Sequence, residues 1–219
     1  MIPFAKLQGA GNGYVVVDGR GRDVDWSAFA RRICDPHFGV GSDGLAVVTE
    51  SALAPVGMRI VNSDGSESEM SGNGIRLFAK YVLDRGLSKL EGGVLRVETG
   101  GGIRSVEPRI EAGRVVSARV AMGEPVFSPA AIPVDPRVVG ETGPVLDHPL
   151  EVAGTRVGIT CLAIGNPHAV ALLDEPVEDF PLAEAGDAVM RHPMFPNRVN
   201  FEVVNLSLIH ISEPTRLRR

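Results

Sequence analysis

The chain reads as an α+β protein of two similar units, with many strands around few helices, and three observations point there. Short β-branched runs between glycine turns outnumber helical patterns over residues 1–124. Pro125, Pro129, Pro133, Pro136, Pro144 and Pro149 exclude long regular elements and mark a boundary near residue 124. Beyond it, Ile164-Gly-Asn-Pro-His-Ala-Val-Ala-Leu-Leu-Asp174 echoes Ala10-Gly-Asn-Gly-Tyr-Val-Val-Val-Asp18: a Gly-Asn turn, an amphipathic ring, then a strand ending in aspartate. The units are therefore drawn as 1–124 and 125–205, with 206–219 set apart.

Taken in order, residues 2–8 and 13–18 read as strands about Gly9-Ala-Gly-Asn-Gly13. That turn has the glycines of a dinucleotide loop but leads into β-branched Val15-Val-Val17 instead of a helix, so a hairpin is expected. Asp25 caps a helix from Trp26 to Cys34, and a glycine-rich loop then enters a strand at Leu45–Thr49. Val56–Val61 is a strand, and Asn62, Asp64, Gly65 and Ser66 are turn formers. From Ile75 to Leu83 the residues are apolar on nearly all sides, so this helix must be buried; it stops at Gly86. Strands at 94–98, 103–110 and 115–122 complete a meander, and the second unit repeats a helix at 180–190 and a strand at 199–204.

The central helix opens with Ser71-Gly-Asn-Gly74, although each glycine costs about 1 kcal/mol against alanine. Two readings stand. Side-chain-free residues leave the first N–H groups open as a cradle for a carboxylate or phosphate, or Ser71 caps an ordinary helix start.

With 219 residues, 44% of them hydrophobic, the chain can fill real cores, and a net charge of −5 offers no basic field for nucleic acid. No apolar run approaches the roughly 20 residues that span a bilayer, and the start has no signal-peptide core, so a cytoplasmic protein without membrane partners is expected. Cys34 and Cys161 are expected as buried free thiols, and no Cys/His cluster has metal-ligand spacing.

Asn62-Ser-Asp-Gly-Ser-Glu-Ser-Glu-Met-Ser-Gly-Asn-Gly-Ile-Arg76 strongly resembles the signature of the diaminopimelate epimerases. Lys6-Leu-Gln-Gly-Ala-Gly-Asn-Gly-Tyr14, Gly39-Val-Gly-Ser-Asp-Gly-Leu45, Gly165-Asn-Pro-His168 and Phe195-Pro-Asn-Arg-Val-Asn200 resemble that family's other landmarks in order, over residues 1–205. The resemblance implies two pseudo-symmetric domains, each a curled, mostly antiparallel sheet around a central helix, with a small amino-acid substrate between them, and a homodimer is compatible with it. It implies an isomerase that inverts the α-carbon of LL- and meso-diaminopimelate without cofactor or metal, in lysine and peptidoglycan precursor biosynthesis. By position, Asn12, Asn62, Asn166 and Asn200 contact substrate, the N–H groups of Gly72 and Asn73 take its α-carboxylate, and His168 stands beside the catalytic pair.

Two departures qualify what is implied. Ser71 occupies the position of the family's first catalytic cysteine, and a hydroxyl is a far weaker acid than a thiol. After Asn200 the family continues through a Glu-Arg pair and a second cysteine-bearing helix start, whereas here Leu206-Ser-Leu-Ile-His-Ile-Ser-Glu-Pro-Thr-Arg-Leu-Arg-Arg219 follows. The tail reads as non-native sequence, the second domain as incomplete, and this polypeptide as impaired. The alternatives are a 3-hydroxyproline dehydratase-like lyase of the same fold group, which Ser71 suits, and a non-catalytic carboxylate-binding fragment.

Overall fold

The computed structural model describes residues 1–140, 143–152 and 154–206. Contacts divide the chain after Met122 into two compact units. The expected tail, apart from Leu206, lies outside the described residues.

In the first unit, β1 (Phe4–Gly9) and β2 (Asn12–Asp18) form the expected hairpin. Its two-residue turn is Ala10-Gly11, with φ of 51° and 87°, the doubly left-handed geometry whose twist matches paired strands. Next come α1 (Trp26–Ile33), β3 (Gly44–Thr49), β4 (Val56–Asn62), β5 (Glu67–Ser68) and α2 (Gly72–Asp84). The unit closes with β6 (Leu95–Thr99), β7 (Gly102–Glu111) and β8 (Arg114–Val120).

The sheet runs β1-β2-β3-β4-β6-β7-β8, with β5 beside β4. It is mostly antiparallel, but β2–β3 and β4–β6 are parallel, as the helical crossovers between them require. Because α2 packs against β1 and β2 at one end and β7 and β8 at the other, the sheet curls around it.

Both faces of β2 and β3 are buried, which is why they read as unbroken apolar runs. Val15, Val17, Leu45 and Val47 face Trp26 and Ala30 of α1, while Tyr14, Val16, Ala46 and Val48 face Ile75, Phe78 and Val82 of α2. Asp25 caps α1 by accepting the Ala28 N–H at 2.9 Å. Gly86, at φ 65°, follows the end of α2.

The second unit holds α3 (Pro136–Val139), β9 (His148–Val152), β10 (Thr155–Ala163), β11 (Pro167–Leu173), α4 (Leu182–Met190) and β12 (Asn200–Asn205). The helix begins two residues later than expected, with Pro181 at its N-cap and a short 3-10 turn at Val177–Asp179 before it. The sheet order is β12-β11-β10-β9.

The sequence echo is structural. An antiparallel pair, a helix and a strand returning parallel to the second strand occur as β1-β2-α1-β3 and again as β10-β11-α4-β12. Registers agree: Tyr14 opens the β2–β3 ladder against Gly44, and His168, also two residues past an Asn, opens the β11–β12 ladder against Asn200. Ile159, Cys161, Ala169, Ala171 and Val199 pack with Ala185 and Val189 of α4. The other face of β11 carries His168 and Leu172, and Leu172 is 61% exposed.

Candidate functional site

In the first unit the motifs meet at the N-terminus of α2. Ser71 is the N-cap, extended at φ −138° and ψ 116°, and its Oγ accepts the Gly74 N–H at 3.0 Å. The cap reading is therefore correct, and it leaves the N–H groups of Gly72 and Asn73, the first two of the helix, without an intrahelical acceptor. An oriented pair of this kind at the positive end of a helix suits a carboxylate.

The two glycines have separate reasons. A Cβ at Gly74 would lie 3.1 Å from Ser71 Cβ and 3.2 Å from Ile60 Cδ1, a tight fit against the cap and β4 that favours glycine. A Cβ at Gly72 would meet Met122 at 3.6 Å, an ordinary contact, so packing alone does not demand it.

Asn73 is 5% exposed and its Nδ2 donates to Asn12 Oδ1 at 3.0 Å, which ties the hairpin tip to the helix start across 61 residues. Arg76 Nη2 donates to Asn73 Oδ1 and orients the amide. The Tyr14 hydroxyl donates to Ser71 Oγ at 3.2 Å. Tyr14, Gly44 and Asn62 form one row across β2, β3 and β4. The Asn62 Nδ2 turns into its own loop, donating to Ser66 Oγ at 3.0 Å.

A groove of about 860 Å³ opens beside the hairpin tip, with Lys6, Arg31, Asp35 and Asp43 on its walls. Gly11 and Gly13, which flank Asn12, and Ser63, which follows Asn62, line it too. Asp43 Oδ2 accepts the Gly13 N–H at 2.7 Å and fixes the loop at 35–43 to the tip.

In the second unit, His168 sits between two side chains. Its Nδ1 lies 2.7 Å from Glu202 Oε1 and its Nε2 lies 3.0 Å from Asn166 Oδ1. Parallel pairing of His168 with Asn200 places Glu202 two residues further on the same face. Asn200 Nδ2 donates to the Pro167 carbonyl at 2.9 Å, so Asn166, His168 and Asn200 form one polar cluster. Glu202 Oε2 is buried without a partner among the described residues.

Sequence reading missed Tyr14 as a contact of Ser71, and Glu202 altogether. The first left a signal, since Tyr14 and His168 occupy the same place in the repeat; Glu202 needed the strand register.

The thiols are poor proton carriers. Cys34 is buried and burial pushes its thiol up, opposed by a hydrogen bond from Ser42 Oγ at 3.1 Å. Cys161 lies in the second core, where burial pushes it up to about 11. Among the described residues no helix is long and apolar enough to cross a membrane.

This α+β fold, with its repeated hairpin–helix–parallel strand unit, is similar to that of solved structures of low sequence identity. A hydroxyproline epimerase from Agrobacterium vitis superposes with a TM-score of 0.63 at 15% identity, over 86% of this chain and 58% of its own. A probable proline racemase from Agrobacterium radiobacter gives 0.59 at 15% identity, over 87% and 55%. At such identity the likeness speaks for the fold alone.

The family follows from closer relatives. The diaminopimelate epimerase model matches residues 4–128. The diaminopimelate epimerase of Desulfovibrio desulfuricans is 43% identical over 204 residues, 92% of this chain and 70% of the relative, and that of Moorella thermoacetica is 44% identical over 207, 93% and 71%. The chain belongs to the diaminopimelate epimerase family.

Proposed function

We propose that the chain carries the site of a cofactor-independent amino-acid epimerase, which removes and returns the α-proton of LL- or meso-diaminopimelate. The observation that carries this is the α2 N-terminus, where the Gly72 and Asn73 N–H groups point away from the helix beside Asn12 and Ser71. Loss of an α-proton puts charge on the substrate carboxylate, and pre-aimed N–H donors stabilise that charge more than they stabilise the ground state.

In this reading the Gly72 and Asn73 N–H groups take the carboxylate, with Asn12 beside them and Asn62 as a further substrate-contacting side chain. Ser71 stands where the α-proton is exchanged on one face. Two donors already converge on its Oγ, from Tyr14 and Gly74, an environment that would favour a thiolate at this position, whereas a hydroxyl is a far weaker acid than a thiol. Serine therefore makes proton exchange slow at this position, and cysteine is the better occupant.

Incubating the full chain in D2O with each diaminopimelate stereoisomer and following α-deuteration by mass spectrometry tests this. Slow exchange is expected from the unsubstituted chain and about tenfold or greater acceleration from Ser71→Cys. Folded protein that deuterates neither isomer in either form would refute the activity. A Ser71→Cys change that slows exchange would refute the role of residue 71. Ser71 also keeps a dehydratase in view, for which release of water from 3-hydroxyproline in the same assay is the mark.

A further inference from the structure

Capping α2 needs only the bond from the Gly74 N–H, yet a second donor reaches the same oxygen from 57 residues away. We infer that Tyr14 is a positioning residue for the residue-71 side chain, holding it in one orientation and donating to the charge that develops there.

The phenol is itself held. Tyr14 is 6% exposed and packs in the inner core with Ile60, Met70 and Ile75. Across the strand pair, Gly44 gives its ring room: a Cβ there would stand 2.8 Å from Tyr14 Cε1 and 3.0 Å from the Val61 carbonyl oxygen. The absence of a side chain at Gly44 thus admits the ring, and the ring's fixed tilt brings the hydroxyl to Ser71 at 3.2 Å. Three separate motifs, the hairpin tip, the loop ending at Gly44 and the α2 start, are joined through this one contact. With the Gly74 N–H and the Tyr14 O–H both pointing at Ser71 Oγ, the serine's own proton must point elsewhere. A hydrogen-bond donor favours the charged form of whatever atom accepts from it, so Tyr14 lowers the cost of a negative residue 71.

The functional role rests on Ser71 facing the substrate, as proposed above; the contact and its effect on a charge at residue 71 do not. The chain has two tyrosines, Tyr14 and Tyr81, so tyrosine labelled with carbon-13 at Cζ gives two lines. Ser71→Ala is expected to move the line that Tyr14→Phe abolishes and to leave that of Tyr81 in place. An unmoved Tyr14 line overturns the proposal.

In the full-length Ser71→Cys chain, the pH midpoint of alkylation by iodoacetamide is expected to rise by about one pH unit when Tyr14→Phe is added. Buried Cys34 and Cys161 contribute little background. A midpoint that does not move overturns the positioning role even if the Tyr14 line has moved. Should Ser71→Cys turn over substrate, Tyr14→Phe is expected to lower kcat and leave KM unchanged, and the reverse pattern overturns the role. Should it fail to turn over, the two spectroscopic and alkylation readouts still decide about Tyr14, so the two readings fail separately.

Discussion

Replacing Ser71 by alanine removes two interactions whose costs are separable. The first is the helix cap: losing the acceptor for the Gly74 N–H costs about 1 kcal/mol, the usual toll of an N-cap serine to alanine change. The second is the acceptor of Tyr14, whose hydroxyl belongs to a residue only 6% exposed; leaving such a group unpartnered costs about 1–3 kcal/mol. Ser71→Ala should therefore destabilise the first unit by about 2–4 kcal/mol. In a Tyr14→Phe background the second part is already gone, and the same alanine should cost only about 1 kcal/mol.

Urea titration read by tryptophan fluorescence measures this in the right place. The single tryptophan, Trp26, is buried in α1 and packs edge-on against Phe29, so it reports on the first unit. Four chains close the cycle. If Ser71→Ala costs the same with tyrosine as with phenylalanine at residue 14, the two side chains are not coupled and the account of the α2 start is wrong.

Three other perturbations follow from the packing and charge of the units. Gly44→Ala forces its Cβ against Tyr14 and the Val61 carbonyl, and should lower the urea midpoint by the equivalent of about 1–3 kcal/mol; an unchanged midpoint would show that the ring moves freely. The Arg20 guanidinium, bonded to both Asp18 oxygens at 2.9 and 2.8 Å, holds that carboxyl below its ordinary value against the opposing effect of burial. A depressed folded value means stability present above the unfolded carboxylate range and lost as pH falls through the folded one. Asp18→Asn should thus be the less stable chain at neutral pH, with the gap closing below about pH 4. A gap that widened in acid would reverse the sign and sink the argument. Finally, Cys34 and Cys161 should resist iodoacetamide in mildly alkaline buffer while folded and react together in urea, as peptide mass mapping would show; rapid native labelling of Cys161 would contradict its burial.

Much of the site was legible because its chemistry lies in short, local patterns. Ser71-Gly-Asn-Gly74 ahead of a helix apolar on nearly all sides announces an open helix start, and the cap the sequence allows is the cap observed. Gly74 needed coordinates: besides the Ser71 cap, its tight neighbour is Ile60, fourteen residues earlier on β4. Glu202 needed the β11–β12 register, since nothing in Asn200-Phe-Glu-Val-Val204 marks that glutamate as the neighbour of a histidine 34 residues before it.

Alternation, turn residues and the Gly-Asn echo are properties of neighbours along the chain, so the amino-acid order alone determined the α+β class, the hairpin, the buried helix and the repeated unit. Which strands run parallel, why Gly44 must lack a side chain, and that Tyr14 reaches Ser71 were decided only when the sheet curled around α2. The physical reason is that these facts depend on register and close packing between segments tens of residues apart, and no local propensity encodes a distance across a fold.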